Sequence, residues 1–324
     1  MSDSTRWSFP PASQPAQSEV AFDLKTTFDA VVALRAEVPD DAFTASILGT
    51  ERLGNGVVIR DDGLTLTIGY LITEASSVWL TGNDGSVVQG YPLAYDFTTG
   101  FGLVQPLGRP RWPVLSRGSA ASVAQDDDVF VIGHGGRAHA LKATVFAKRE
   151  FAGFWEYLLD EALFTTPPHP EWSGTALVDE DGRLVGIGSL LLQEKSGDET
   201  VDGNMFVPID LLEPILGDLL LTGRSALPSR PWLGMYTADA QGRLVVNELA
   251  SGGPAERAGV ASGDLVVAVA GERVASLADL FRQIWKQGPA GTDIPLTLAR
   301  NGAPLHLKVH SADRYDVLKK PSLQ

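Results

Sequence analysis

The 324-residue sequence contains no cysteine, which excludes disulfides, thiolate catalysis, cysteine zinc sites and iron–sulfur clusters. Long apolar runs are also missing. The longest, residues 184–192, includes two glycines and is shorter than the 18 or more apolar residues of a membrane span. The first ten residues lack the apolar core of a signal peptide. We therefore expect no membrane span and a cytoplasmic location.

Basic residues are scarce, because 26 Lys and Arg stand against 40 Asp and Glu, a formal net charge of −14. A nucleic-acid backbone requires clustered basic side chains, so nucleic acid is not an expected partner. Turn-forming residues are abundant, with 34 Gly and 20 Pro. They separate short β-prone runs such as residues 57–59, 78–80 and 129–132. This pattern predicts a mostly β architecture.

Changes in composition divide the chain into five predicted segments. These are a flexible N-terminal tail (1–21), a β-rich domain (22–222), a linker (223–230), a second domain (231–313) and a C-terminal tail (314–324). We expect a short helix near the start of the β-rich domain and a helix over residues 210–221 at its end, with Pro214 in its first turn or interrupting it.

Several motifs of the second domain occur in an order typical of one family. Residues 231–235 (Pro-Trp-Leu-Gly-Met) look like a carboxylate-binding loop, and residues 251–264 are similar to the signature "PGSPAEKAGL…GD". Residues 271–280 continue the same pattern. The second domain therefore resembles the PDZ domain of the HtrA/DegP family.

The β-rich domain resembles the protease part of the same family. Residues 54–59, 62–67, 173–187 and 203–209 are similar to the family's "GSGVVI", "DGYILT", "NSGGPLVN…GEVIGI" and "GIGFAIPI". The two resemblances together cover roughly residues 22–313. They imply a mostly β protein in which a trypsin-like double β-barrel is followed by a PDZ domain. The PDZ domain itself is an α+β fold with a partly open β-barrel.

The catalytic positions of this sequence depart from the family pattern. Ser173 stands at the nucleophile position, but Tyr70 replaces the triad histidine and Gly100 replaces the triad aspartate. Glu171 replaces the glycine of the oxyanion hole, two residues before the serine. A phenol with an ordinary pKa near 10 is a poor general base, and a carboxylate would oppose a developing oxyanion. The sequence therefore predicts a pseudoprotease.

Other interpretations of these residues stay open. Ser173 also suits a tight turn, or it could be a nucleophile served by another base. His169 is the only histidine near it, in a proline-flanked loop, and Asp96 would have no imidazole to orient. His134 and His139 lie in a glycine-rich loop without a carboxylate partner, so no metal and no cofactor are predicted.

An aromatic cluster lies between two predicted strands and has two interpretations. It is either an interaction patch or an ordinary packed loop. Its members are Phe151, Phe154, Trp155 and Tyr157.

The resemblance implies that the PDZ groove binds protein or peptide C-termini. Trp232, Leu233, Gly234 and Met235 would supply the carboxylate loop and strand edge. Leu280 and Ile284 would line the groove from a helix that begins after Ser276. The alternative is a degenerate groove used only for packing.

These observations predict a catalytically inactive HtrA-like protein that acts as a binding adaptor or assembly subunit. One alternative is a serine hydrolase or endopeptidase that uses Ser173 with a base foreign to the family. Another is a regulatory subunit of an active HtrA-type protease. Family resemblance also implies a homo-oligomer, with trimers usual, or a larger protein complex.

Overall fold

In the computed structural model, residues 7–196 and 199–320 are described, and they form two compact units. The first unit comprises residues 7–149, 161–225 and 319–320. The second comprises residues 150–160 and 226–318. No helix in the described ranges has the length and apolar character required to cross a membrane.

The first unit begins with a closed six-stranded barrel in the order β1-β2-β3-β6-β5-β4. Alternation of buried and exposed side chains along β1 places Val32, Leu34 and Ala36 inside. The strands are β1 (Val31–Glu37), β2 (Glu51–Val58), β3 (Thr65–Ile68), β4 (Ser77–Thr81), β5 (Val87–Tyr95) and β6 (Phe101–Pro106).

A second closed barrel follows in the order β10-β11-β12-β9-β8-β7. Its core contains Val131, Leu163 and Phe206, which are fully buried. The strands are β7 (Asp128–Ile132), β8 (Ala140–Gly153), β9 (Tyr157–Thr166), β10 (Ala176–Val178), β11 (Leu184–Ser196) and β12 (Glu199–Pro208). Strands β8 and β9 form a long hairpin, and its tip, residues 150–160, belongs to the second unit.

The rest of the second unit is a sheet in the order β13-β14-β15-β17-β18, with β16 paired to β15. Ile294, Leu296 and Leu298 alternate along β17 and pack into the core. The strands are β13 (Met235–Asp239), β14 (Leu244–Leu249), β15 (Leu265–Val269), β16 (Glu272–Arg273), β17 (Asp293–Arg300) and β18 (Ala303–His310). Asn301 and Gly302 both have positive φ, as a tight hairpin turn requires.

Side-chain caps, proline and glycine mark the ends of the helices. The Ser276 hydroxyl accepts a hydrogen bond from the Asp279 amide and caps α5, the helix predicted to begin after Ser276. Pro214 lies in the first turn of α3, which ends at Gly223 in a left-handed conformation. The helices are α1 (Leu24–Asp29), α2 (Ala45–Leu48), α3 (Glu213–Thr222), α4 (Pro254–Arg257) and α5 (Leu277–Trp285).

The described part of the predicted N-terminal tail packs on the second barrel. The Phe9 amide donates to the Ala138 carbonyl at 3.0 Å, and the Phe9 ring contacts the barrel core. Arg137 donates to the Pro15 carbonyl at 2.9 Å. A Ser- and Pro-rich composition suggests mobility, but the apolar ring and these hydrogen bonds fix the segment. Residues 1–6 of the predicted tail lie outside the described residues.

The division into units differs from the predicted domain limits at residues 150–160. The sequence assigns this segment to the domain spanning residues 22–222. Its contacts are instead with residues 226–318. Strand periodicity indicates which face of a strand is buried, but it does not identify what buries that face.

An ion pair between a buried carboxylate and a partly exposed arginine in the second unit leads to a stability prediction. The Asp264 side chain is 1% exposed and accepts two hydrogen bonds from Arg300, each 2.7 Å long. These bonds hold the pKa of Asp264 below its ordinary value of 3.8. We expect Asp264→Asn to lower the free energy of unfolding of this unit by about 1.5–3 kcal/mol at pH 7.

The effect of this substitution should depend on pH. A carboxyl whose pKa is depressed by folding contributes stability above its unfolded pKa and loses it as the pH falls towards the folded value. The difference between wild type and Asp264→Asn should therefore shrink below about pH 4. Hydrogen exchange in urea, followed on amides of the second unit, measures it. Asp293→Asn, at an exposed pair with Lys308, is the control and should change stability less.

Candidate functional site

Tyr70 and Ser173 meet between the two barrels of the first unit. Tyr70 lies in the single helical turn Gly69–Leu71 that follows β3, and Ser173 lies in the loop before β10. The Tyr70 hydroxyl is 2.7 Å from Ser173 Oγ and donates to the Ser189 carbonyl at 2.7 Å. The structure thus brings the predicted nucleophile position and the residue at the predicted histidine position into direct contact.

The direction of these hydrogen bonds follows from counting protons. A phenol has one proton, and Tyr70 gives it to the Ser189 carbonyl. Ser173 must therefore donate its own proton to the phenol oxygen. Burial raises the pKa of Tyr70 to about 12, so the phenol is neutral at physiological pH. The serine proton faces a weak acceptor.

Gly100 and Asp96 form a closed turn of their own. The Gly100 amide donates to the Asp96 carbonyl, while the Asp96 carboxylate accepts from the amide and hydroxyl of Thr99, all at 2.8 Å. Gly100 has a φ of +84°, where an aspartate would be strained. Asp96 is thus engaged in its own turn, as a turn-capping group rather than a partner for a base.

The Tyr95 ring occupies the space beside Tyr70. A Cβ atom placed on Gly69 would lie 2.0 Å from the Tyr95 ring. Glycine is therefore needed at position 69 for the ring to pack there. The sequence comparison of triad positions did not single out this aromatic residue.

The loop before Ser173 is organised around a buried histidine. The Glu171 amide donates to His169 Nδ1 at 3.1 Å. Since Nδ1 accepts, the proton lies on Nε2, which donates to the His139 carbonyl at 3.0 Å. Burial lowers the pKa of His169 to about 4. Both ring nitrogens are therefore occupied within the fold, as is the amide at the predicted oxyanion position.

Asn55 connects this loop to the first barrel, and sequence reasoning missed it. Its amide group donates to the carbonyls of Glu171 and Ser173 at 3.0 and 3.2 Å. Its backbone amide also donates to Ser173, at 2.8 Å, and its side-chain oxygen accepts from the His134 amide. The sequence feature that could have indicated its role is a polar residue between two glycines of a buried strand.

The N-terminal segment also reaches the Ser173 loop. Trp7 Nε1 donates to the Glu171 carboxylate at 2.9 Å, and the Trp7 ring lies 4.4 Å from the His139 ring. Glu171 therefore has a partner for its carboxylate as well as for its amide. Among the described residues, no group of three or more His, Asp or Glu side chains is arranged to hold a metal ion.

The backbone amides of the predicted PDZ loop bind a side chain of the second unit itself. The amides of Leu233 and Met235 donate to the carboxylate of Glu156, whereas the Trp232 amide donates to the Ala312 carbonyl. Gly234 has a φ of +67° and makes the bend between the two donors.

The predicted groove residues are buried rather than open. The sequence places Leu280 and Ile284 on an accessible groove, but they are 0% and 1% exposed. Leu158 belongs to the same apolar cluster. The spacing of apolar residues on α5 could not reveal that the cluster also contains Leu158, which is distant in the sequence.

Comparisons with known proteins agree with this architecture. Residues 54–187 match the trypsin-like peptidase domain family, and residues 231–310 match the PDZ domain family. The chain is 27% identical over 285 residues to the serine endoprotease DegS of Escherichia coli, covering 79% of this chain and 76% of that protein. It is 22% identical over 328 residues to the serine protease Do-like HtrA of Bacillus subtilis, covering 90% and 72%.

A probable periplasmic serine endoprotease, DegP-like, of Halomonas elongata is 26% identical over 281 residues, covering 82% of this chain. The chain spans only 58% of the length of that relative. Among solved structures, the HtrA-type protease AlgW with tripeptide has a TM-score of 0.53 and 18% identity, covering 93% of this chain and 99% of that chain. The serine endoprotease from Yersinia pestis has a TM-score of 0.52 and 21% identity, covering 91% and 99%.

The chain is therefore built from a trypsin-like peptidase domain followed by a PDZ domain. Its resemblance to the HtrA/DegP family is supported by the two domain matches and by these relatives, and the solved structures share its fold. The predicted fold class is confirmed.

The predicted cytoplasmic location is wrong. The finding against it is that DegP-like relatives from Halomonas elongata, Rhizobium meliloti and Pseudomonas putida are named periplasmic. The expectation rested on the absence of an apolar core in the first ten residues and of a long apolar run, and such absences do not determine the compartment of a folded protein.

The buried His169 predicts a pH-dependent stability of the first unit. The unfolded chain binds a proton at this histidine below about pH 6.5, while the folded chain does so only near pH 4. The free energy of unfolding should fall as the pH drops through this window, by about 3 kcal/mol in all. His169→Gln should flatten this part of the profile, measured by urea unfolding between pH 7 and pH 4. His306→Gln, on the second unit, is the control, and an equal slope in wild type and His169→Gln would contradict the prediction.

Proposed function

We propose that this chain is a catalytically inactive HtrA-like protein that acts as an adaptor or assembly subunit and binds peptides through its PDZ domain. The hydrogen bond between Ser173 and Tyr70 carries the proposal. A serine nucleophile needs a base that takes its proton as it attacks. The group in contact with Ser173 is a phenol that already donates elsewhere.

The magnitudes favour inactivity. With a pKa of about 12, roughly one Tyr70 phenol in 100,000 is ionised at pH 7. Removing the histidine alone from a serine protease costs on the order of a million-fold in rate. A neutral phenol that is hydrogen-bonded to a carbonyl does not replace that function.

The geometry of the Ser173 loop supports the same conclusion. An oxyanion hole needs amides that point towards the developing negative charge. The Glu171 amide donates to His169 instead. Its carboxylate adds negative charge to the loop. Electrostatic stabilisation of a tetrahedral intermediate would therefore be weak as well.

His169 is a poor substitute base, which argues against the hydrolase alternative. Its Nδ1 accepts from an amide of its own loop, and its Nε2 faces a carbonyl. Neither nitrogen has a lone pair available for Ser173. A histidine with a pKa of about 4 also binds a proton weakly at neutral pH.

The binding role rests on the PDZ domain. PDZ domains accept an extended peptide on a strand edge and its terminal carboxylate on backbone amides. One solved relative is described with a tripeptide, which supports a peptide as the class of ligand. Assembly of this chain into a homo-oligomer, such as a trimer, is part of the same proposal.

The first test of the proposal is reactivity of the serine. The full chain should not be labelled by a fluorophosphonate probe and should not cleave unfolded casein, because Ser173 lacks a base. An active HtrA-type protease labelled in parallel is the positive control. Labelling that is lost in Ser173→Ala would contradict the proposal and favour the hydrolase.

A second test attempts to rebuild the active site. Tyr70→His combined with Gly100→Asp should restore little casein cleavage, because the Glu171 amide stays on His169 and an aspartate at position 100 is strained. Adding Glu171→Gly should raise cleavage more than either triad change alone. Circular dichroism of each variant checks folding. Efficient cleavage by the double variant would show that the oxyanion hole is intact.

A further inference from the structure

The carboxylate of Glu156 lies where a PDZ domain holds the end of a peptide. Its Oε2 atom is 3.0 Å from the Leu233 amide, and its Oε1 atom is 2.9 Å from the Met235 amide. Glu156 itself is 8% exposed. A side-chain carboxylate and a terminal carboxylate present the same two oxygens to such donors.

The backbone of the hairpin tip is shaped for this contact. Glu156 has a φ of +61°, a left-handed conformation that residues other than glycine seldom adopt. An unfavourable conformation persists where surrounding contacts determine it. Here those contacts are the hydrogen bonds from Leu233 and Met235.

A second feature of a PDZ ligand is a main-chain hydrogen bond to the edge of the sheet. Strand β13 is the outer strand of its sheet and pairs with β14 on its other side. The Thr237 amide of β13 donates to the Phe154 carbonyl at 3.2 Å. The Phe154 ring also meets the Tyr236 ring edge to face, with centroids 6.3 Å apart.

A third feature is a buried aliphatic side chain in the same apolar cluster as two residues of the helix. Leu158 is 6% exposed and lies in the apolar cluster that includes Leu280 and Ile284. These are the two residues expected to receive the last side chain of a peptide. The predicted aromatic cluster contributes to the same docked segment, with Trp155 stacked on Tyr157 at 5.7 Å.

Ion pairs fix both sides of the tip to the same helix. Arg282 of α5 lies 2.5 Å from Glu150 and 2.6 Å from Asp160. These pairs are solvent-exposed, so they select the position of the segment more than they stabilise it.

The electrostatics of Glu156 make the loop amides necessary. Burial raises the pKa of this carboxyl, and hydrogen bonds from Met235 and Leu233 act in the opposite direction. A buried carboxylate has no water to solvate it and depends on such donors. The amides in turn would lack an acceptor if the segment left without a replacement.

We propose that residues 150–160 are an internal ligand of the PDZ groove, in which Glu156 stands in for a terminal carboxylate and which an external C-terminus must displace. This inference rests on the proposed peptide-binding function. Because the segment is tethered, it competes at a high effective concentration. Only molecules with an empty groove can bind an external peptide. The apparent Kd therefore equals the intrinsic Kd divided by the fraction of molecules whose groove is empty.

Hydrogen exchange in the full chain tests the internal ligand without any peptide. The Leu233 and Met235 amides should be protected in wild type and exchange at least ten-fold faster in Glu156→Gln, which keeps the size of the side chain but removes its charge. Glu161→Gln, five residues along the hairpin and exposed, is the matched control and should resemble wild type. Equal exchange of these amides in wild type and Glu156→Gln overturns the internal ligand.

Peptide binding provides the second measurement. The probe is a pooled hexapeptide library with aliphatic last residues, prepared as free acids and as amides. Glu156→Gln should bind the free acids at least ten-fold more tightly than wild type or Glu161→Gln. Equal binding of the free acids by wild type and Glu156→Gln overturns displacement. Glu156→Gln could show fast exchange but no preference for free acids over amides. That result would support the internal ligand and contradict the proposed binding of peptide C-termini by the PDZ domain.

A second variant covers the possibility that Glu156→Gln destabilises the unit. Glu156→Asp keeps the charge but is one methylene shorter, so it should reach the two amides poorly and give a smaller change in the same direction. Protection of the Leu296 and Leu298 amides in β17 reports whether the unit remains folded. Glu156→Asp with intact β17 protection and wild-type exchange at Leu233 and Met235 would also overturn the proposal.

Discussion

A buried backbone amide needs an acceptor, and two loops of this chain meet that need with the chain's own side chains. The Glu171 amide, beside Ser173, donates to His169. The Leu233 and Met235 amides donate to Glu156. In a protease with a PDZ domain, loops at these two positions would offer their amides to a substrate oxyanion and to a peptide carboxylate. Here both sets of donors are already satisfied within the fold.

The contact between Tyr70 and Ser173 follows the same logic at the level of side chains. A histidine at position 70 could accept the serine proton, because an imidazole has a lone pair opposite its N–H. A phenol with its proton committed to Ser189 can only receive a weak hydrogen bond. In this chain the serine is one member of a chain of hydrogen bonds that runs through Tyr70 to the Ser189 carbonyl. The Tyr95 ring packs on Gly69, the residue before Tyr70.

The sequence predicted local features well and long-range partners poorly. The helix that begins after Ser276 was predicted, and so was a helix near residues 210–221 with Pro214 in its first turn or interrupting it, because the responsible atoms lie within a few residues of one another. The two domains were predicted from the resemblance of their motifs to those of a known family. Asn55 and Glu156 were missed, because their partners lie more than 70 residues away along the chain. Neither residue type nor spacing encodes such a partner.

The aromatic cluster shows how topology determines the surroundings of an ambiguous sequence feature. Phe154 and Trp155 could have belonged to an exposed patch or to a packed loop, and composition could not separate the two. The long β8–β9 hairpin carries them into the second unit, where the Phe154 carbonyl pairs with β13 and Arg314 donates to the Trp155 carbonyl. A carboxylate placed between these aromatic residues and Tyr157 then reaches the loop amides. Recognition of a carboxylate requires two oxygens at the right distance from two donors, and the position of that carboxylate in a chain, terminal or internal, does not enter the geometry.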